Sequence, residues 1–370
     1  MLARLALYPT FQVFLSILLG VLTVSVLMPL FITFLRHRRI GQQVRADGPE
    51  GHLVKEGTPT MGGVVVLTMM ALVACVMIFI VALHVEYTSL QHAIEYSKGI
   101  RAALLVVFTT LACGLLGFID DAAKVTKERS LGLTARAKLI GQITVGIVFS
   151  LAAVNWVDVS PDIVIPLTTA HIPLGIGAAT LPWFGEATLF VPWLYILFTT
   201  FMLVAMSNAV NLTDGLDGLA AGTVTIVALV FAAIGYAQNV LPVALVASAV
   251  AGACIGFLWY NSYPADIFMG DTGSLGLGGT IAALAVVTKT ELLLLVIGGI
   301  FVIEALSVVI QVAWFKRTRR RVFKMAPIHH HYEMLGWSET KIMVRFWIVT
   351  AMFGSLGFAI YFFQTGRLGG

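Results

Sequence analysis

Apolar residues run along this chain in long unbroken stretches. They do not alternate as in a half-buried strand, and they do not form the narrow stripe of a helix on a water-soluble core. Ten stretches have about the length needed to cross a bilayer as helices: roughly 11–35, 63–83, 102–119, 139–154, 191–209, 219–236, 241–260, 273–287, 292–315 and 346–363. The eighth is short and glycine-rich and is the weakest of the set. A transmembrane barrel would show polar and apolar positions with period two, which these stretches lack. The expected fold is therefore an all-α integral membrane protein, one polytopic domain over residues 1–370. The run after Arg4 continues without a charge to Leu35, too long for the apolar core of a signal peptide, so it reads as the first span.

Composition agrees. The 370 residues are 59% hydrophobic and 11% charged, where a soluble domain carries about 25% charged residues. Cys75, Cys113 and Cys254 all fall in apolar runs without metal-ligand spacing and read as small buried apolar residues. There is no internal repeat and no low-complexity segment.

The distribution of charge orients the chain. Ten spans put both termini on one side. With the termini outside, 18 of the 23 lysines and arginines fall in cytoplasmic segments: 36–55, 124–138 and 316–345. Only Arg4, Lys98, Arg101, Lys289 and Arg367 remain outside. The largest outer segment, 155–190, carries Pro161, Pro166, Pro173 and Pro182 beside β-branched Ile163, Val164 and Ile165, which predicts a small hairpin or irregular cap with no catalytic role.

Six aspartates gather at the cytoplasmic helix ends: Asp120 and Asp121, Asp214 and Asp217, Asp266 and Asp271. One such acid would be an ordinary interfacial residue. A set of six invites more, because adjacent carboxylates repel unless a cation is near, and acids at a membrane edge are costly unless they work. None of the last four has a lysine or arginine in its own short loop, so a divalent cation or basic groups from other loops are expected.

Each cluster has a chemistry and a plainer alternative. In Asn208–Gly218, polar residues recur every three positions, which suits hydrogen bonding to a nucleotide base or ribose; the alternative is a capped helix end. In Asn261–Ser274, Gly270 and Gly273 flank Asp271 where a helix begins. The free N–H groups there suit phosphate and Asp271 could ligate Mg²⁺, or simply cap the helix. His329, His330 and His331 are consecutive and cannot all face one way. They suit anion binding or proton donation rather than one metal site, or else lie in a solvated loop. Lys124 follows Asp120 by one turn, and Lys138, Lys55 and Thr60 approach from other loops. Glu304 and Gln311 share a face of the ninth span; Glu304 reads as a structural hydrogen-bonding group and Gln311 as a ligand contact.

Five stretches occur together and in order: Gly57-Thr-Pro-Thr-Met-Gly-Gly63, Gly117-Phe-Ile-Asp-Asp121, Asn208-Ala-Val-Asn-Leu-Thr-Asp-Gly-Leu-Asp-Gly218, Phe268-Met-Gly-Asp-Thr-Gly-Ser274 and Met325-Ala-Pro-Ile-His-His-His-Tyr-Glu333. On these the chain resembles the phospho-N-acetylmuramoyl-pentapeptide transferases, bacterial inner-membrane enzymes of peptidoglycan synthesis. The last stretch favours that branch over the N-acetylglucosamine-1-phosphate transferases, which stand as the alternative; an ion-coupled transporter is the alternative of another class.

The resemblance implies ten transmembrane helices with both termini outside and an active site facing the cytoplasm. It implies that undecaprenyl phosphate attacks UDP-N-acetylmuramoyl-pentapeptide, giving lipid I and UMP, with Mg²⁺ as cofactor. It makes Asp271 the metal ligand and Asp120, Asp121 and His330 catalytic along with it. Asn211, Asp214, Asp217, Asn261 and Phe268 would line the nucleotide site. Lys138, His329 and His331 would aid phosphate binding, with Lys55, Thr60, Lys124 and Gln311 as further substrate contacts. The bilayer is a partner, nucleic acid is not, and a homodimer is one option for assembly.

Overall fold

The computed structural model describes residues 8–38, 40–41, 57–84, 89–126, 132–168, 170–182 and 188–368. Its helices are α1 (Pro9–His37), α2 (Gly63–His84), α3 (Leu90–Thr126), α4 (Ala135–Asn155), α5 (Trp193–Thr213), α6 (Leu219–Ala237), α7 (Leu241–Asn261), α8 (Gly270–Val287), α9 (Leu294–Ile297), α10 (Gly299–Thr318), α11 (Ile328–Glu333) and α12 (Glu339–Leu368). Among the described residues, ten of these are long and apolar enough to cross a membrane: α1 to α8, α10 and α12.

The ten expected spans all appear, with three changes of outline. The third runs on at both ends into the 37-residue α3, because no proline interrupts the chain there, and so Asp120, Asp121 and Lys124 sit on the helix itself. The ninth is broken at Gly298 into α9 and α10. The tenth begins earlier than expected, at Glu339.

α7 and α8 form the buried centre, and α1, α10 and α12 lie at the periphery. α1 shows why hydropathy alone could not tell core from edge. Gln12, Ser16, Gly20, Val24, Met28, Ile32 and Leu35 are buried at intervals of about one turn, while Phe14, Leu18, Val26 and Leu30 on the other side are exposed and equally apolar. The buried stripe packs on α7, where Ser16 Oγ donates to the Leu245 carbonyl (3.0 Å). Alanines and glycines of α7 let the backbones approach, as small residues do between helices in lipid. Cys113 and Cys254 are buried as expected. Cys75 is not: it lies exposed on the outer face of α2 beside Leu72, Val76 and Phe79, since a surface that meets lipid has no need to be polar.

The described residues of segment 155–191 include two antiparallel strand pairs, which give the expected cap its structure. β1 (Asp162–Val164) pairs with β2 (His171–Pro173), and β3 (Ala179–Pro182) with β4 (Thr188–Val191). Asn155 fixes the second pair by exchanging two hydrogen bonds of 2.8 Å with Phe190. Lys289 fixes the first, donating to the carbonyls of Ser160 and Asp162 and pairing with buried Glu291 at 2.7 Å. Burial pushes the Glu291 carboxyl up, against the pull of Lys289. This cap sits at the far end of α8 from Asp271, so the chemistry-bearing acids belong to the opposite end of the bundle.

Candidate active site

The start of α8 is the organising point. Gly270 holds a left-handed backbone (φ +76°), which turns the chain sharply into the helix and which a side chain would disfavour. The strap Gly57–Gly63 braces that turn from outside. Phe268 N donates to the Pro59 carbonyl (2.8 Å), Gly62 N to the Phe268 carbonyl (2.9 Å) and Gly63 N to the Met269 carbonyl (2.9 Å). Thr60 therefore belongs to a strap around the site. On the inner side α3 comes so close that a Cβ on Gly117 would collide with the Asp271 carbonyl. The glycines of two motifs thus mark a backbone approach that no larger residue permits.

Asp121 caps α8. Its carboxylate accepts from Asp271 N (3.1 Å), Thr272 N (2.9 Å) and Thr272 Oγ1 (2.7 Å). A carboxylate at a helix N-terminus is stabilised by the unpaired N–H groups there. These bonds hold Asp271 facing α3, α4 and α5. Asp271 Oδ2 meets Lys124 Nζ at 2.9 Å and Lys138 Nζ at 3.0 Å, and Oδ1 accepts from Asn211 Nδ2 at 2.8 Å. Lys124 also pairs with Asp120 at 2.6 Å and lies 3.5 Å from Asp121. Asp120 in turn accepts from Leu133 N (2.7 Å), holding the residues just ahead of α4. The basic groups that the acids lack locally arrive from α3 and α4.

One carboxylate oxygen from each of Asp120, Asp121 and Asp271 lies within 4.8 Å of the other two. Three hard oxygen donors so placed fit a divalent cation such as Mg²⁺. Two of Asp121's bonds go to helix N–H groups, whereas the partners of Asp271 are the side chains of Lys124, Lys138 and Asn211, and Asp120 bonds to Leu133 N and Lys124.

The loop after α5 brings the next acids. Asp214 is partly buried, and burial, reinforced by the carboxylates of Asp271, Asp121 and Asp217, pushes its pKa well above the ordinary range. It is disposed to hold a proton and donate it in a hydrogen bond. Asp217 and Asn261 serve the backbone: Asp217 Oδ2 accepts from Ala265 N (3.0 Å), and the Asn261 amide accepts from Gly218 N (3.1 Å) and donates to the Ile267 carbonyl (2.9 Å). Together they clamp the 214–218 loop to the 261–268 loop that carries half-buried Phe268. Asp266 stands apart, exposed and 3.8 Å from Arg36.

The three histidines take different partners, although the rings of His329 and His330 lie 4.2 Å apart. His329 is fully buried, donates to Glu304 Oε1 (3.0 Å) and presses its other ring edge against Gly215. His330 meets Glu333 at 2.9 Å, and His331 accepts from Lys324 N (3.0 Å). Glu304 is the structural hydrogen-bonding group expected. The Gln311 amide accepts from Val322 N and Phe323 N and donates to the Phe323 carbonyl, shaping the α10–α11 loop.

The structure thus brings Asp120, Asp121, Lys124, Lys138, Asn211 and Asp271 into one centre, with Asp214 beside it. It places Asp217, Asn261 and Phe268 in the adjoining clamp, and the histidines and Gln311 on the α10–α11 side. Lys55 lies outside the described residues. Sequence reading passed over Thr272 and Ser274, which bond to Asp121 and Asn211. Both stand in the Gly-Asp-Thr-Gly-Ser turn, where hydroxyls at a helix start were the available signal.

Residues 103–289 match the model described as Glycosyl transferase family 4, and residues 55–67 match Phospho-N-acetylmuramoyl-pentapeptide-transferase signature 1. Curated relatives of the latter name align over almost their whole length. One from Rubrobacter xylanophilus is 48% identical over 333 residues, covering 90% of this chain and 92% of its own. One from Desulforudis audaxviator is 46% identical over 342 residues, covering 91% and 95%. One from Bacillus subtilis is 44% identical over 345 residues, covering 93% and 96%.

Proposed function

The chain belongs to the phospho-N-acetylmuramoyl-pentapeptide transferase family, and on that premise we propose that it transfers phospho-N-acetylmuramoyl-pentapeptide from its UDP carrier to undecaprenyl phosphate, at the centre built around Asp271. It is a membrane-embedded transferase of peptidoglycan synthesis. The single observation that carries the site is the convergence of Lys124, Lys138 and Asn211 on Asp271 at a helix start flanked by Asp120 and Asp121. The names of the relatives favour the muramoyl substrate over UDP-N-acetylglucosamine. Acids gathered at one end of the bundle, without an internal repeat, do not fit a midplane transport site.

The reaction joins two anions. An oxygen of the lipid phosphate forms a bond to the β-phosphorus of the UDP-sugar, and the bond from that phosphorus to the bridging oxygen breaks, leaving its electron pair on UMP. Lys124 and Lys138 supply fixed positive charge at the diphosphate, and Asp121 and Asn211 keep Asp271 and its lysines in register, so charge neutralisation and positioning do most of the catalytic work. Asp214, holding its proton, can donate to the nucleotide while Asp217 and Asn261 keep its loop in shape. Asp271, with Asp120 beside it, would hold Mg²⁺, which when bound would neutralise the diphosphate and ease departure of UMP. The lipid phosphate is anionic at neutral pH, so direct attack needs no strong base. Trapping a covalent sugar-phosphate adduct with the UDP-sugar alone would instead require an aspartate nucleophile.

The excess of lysine and arginine at the acid end supports a cytoplasmic active site in the inner membrane, with both termini outside. The test of the site is Asp271→Ala. The purified variant should stay folded, melting below the wild type because Lys124 and Lys138 lose a shared partner, yet release no UMP when given both substrates; an active variant would remove Asp271 from the centre.

A further inference from the structure

The three helices that meet at Asp271 meet again one turn deeper in the bundle. In the first layer, Lys138 of α4 reaches Asn211 of α5 (3.4 Å), and Asn211 donates to Ser274 of α8 (2.8 Å). One helical turn along each helix stand Gln142, Ser207 and Gly278. Gln142 Nε2 donates to Ser207 Oγ (2.8 Å), and its Oε1 accepts from Asn208 Nδ2 (3.0 Å). Gly278 lets α8 lie directly on the Ser207 backbone, where a Cβ would collide. Gln142 is 1% exposed and both ends of its amide are used.

A buried amide in a membrane bundle is costly unless satisfied. Lipid-surrounded helices gain little from burying apolar surface against each other, so polar contacts and close packing set how they align. A slide of α4 by one residue, about 1.5 Å, would break both bonds of Gln142 and carry Lys138 away from Asp271 by the same amount. Ser207 and Asn208 also bond to the Val204 carbonyl, so the second layer is held to α5 independently of α4.

We propose that Gln142 is a positioning residue for the phosphosugar transfer: its two hydrogen bonds lock α4 to α5 at the height that puts the Lys138 ammonium on Asp271. The inference rests on the reading given under Proposed function and adds to it a residue one layer below those that meet the substrates.

Gln142→Met keeps length and volume and removes both hydrogen bonds, and the partners keep their backbone acceptor. UMP release is measured with the UDP-sugar and the lipid phosphate varied separately, and folded protein is counted by thermal unfolding and by UMP-binding stoichiometry. Gln142→Met should retain melting temperature and stoichiometry, hold KM within about threefold, and lose about 10- to 100-fold in kcat, as a displacement of about 1 Å does. If Gln142 acts through Lys138, adding Gln142→Met to Lys138→Met should lower the rate no further. A wild-type kcat in Gln142→Met, or losses that multiply in the double variant, overturns the proposal. Should Gln142→Met fail to fold, Ser207→Ala removes one of the two bonds by a smaller change. It should lower kcat several-fold, again with no added loss on Lys138→Met, and a fully active Ser207→Ala overturns the proposal. If the wild type itself releases no UMP, the functional reading fails instead, so the two failures are distinct.

Discussion

Lys138→Met isolates one charge at the centre. The lysine lies 3.0 Å from Asp271, with 17% and 18% of the two side chains exposed. At that distance and an effective dielectric of about 20, the gross attraction is about 5.5 kcal/mol. Most of it is offset by the cost of desolvating both groups. Asp271 also keeps Lys124 at 2.9 Å, although Lys124 is shared with Asp120 at 2.6 Å. The net loss of stability should therefore be about 1–3 kcal/mol, enough to lower the melting temperature without unfolding the protein. The rate should suffer more, because a fixed cation beside a diphosphate stabilises charge that develops in the transition state. Losing one such group costs about 100- to 1,000-fold in kcat. The assay is initial-rate UMP release with each substrate varied, beside thermal unfolding in detergent. Lys138→Arg should recover part of the rate, since it keeps the charge and changes the geometry. A Lys138→Met variant whose kcat stays within about threefold of wild type, with the protein folded, would refute the role given to this lysine.

Three further outcomes follow from the same geometry. Asp214 has a raised pKa in the folded protein, so its contribution to stability is complete below the unfolded carboxylate value of about 3.9 and is lost as pH rises through the raised value. Asp214→Asn, which cannot ionise, should gain in melting temperature over wild type as pH goes from 5 to 9, and a gap that narrows would contradict the assignment. Gly117→Ala forces α3 off the Asp271 backbone and should cost about 1–3 kcal/mol of stability and most of the activity; thermal unfolding with a UMP-release assay checks both. Lys289→Met leaves Glu291 buried without its cation and should destabilise the cap end by about 3–5 kcal/mol, while kcat of the folded fraction stays unchanged because the acids lie at the other end.

Spans and motifs were legible for different reasons. Ten apolar runs announced ten helices because lipid demands apolar residues all round, and that same demand hid which face of α1 meets α7. The acid centre was legible as a gathering of aspartates, but not its wiring. Lys124 and Asp120 could be paired from their spacing alone, whereas the pairing of Lys138 with Asp271 joins residues 133 positions apart and depends on how α4 and α8 cross. Gly117 and Gly63 stood out as motif glycines, yet only the packed helices show that each marks a backbone contact. Gln311 is a further case: the loop that its amide shapes gave no sequence signal. Asn261 and Asp217 likewise bond to backbone groups, which spacing could not reveal.

The central claim is transfer of a phospho-muramoyl-pentapeptide to a lipid phosphate at the Asp271 centre. It is tested most directly by incubating the purified protein with undecaprenyl phosphate and Mg²⁺ and following UMP and lipid-linked product with UDP-N-acetylmuramoyl-pentapeptide or UDP-N-acetylglucosamine as donor. The account predicts stoichiometric UMP and lipid-linked muramoyl-pentapeptide from the first donor, and neither product from the second. Product from UDP-N-acetylglucosamine alone, or no UMP from either donor, would contradict it.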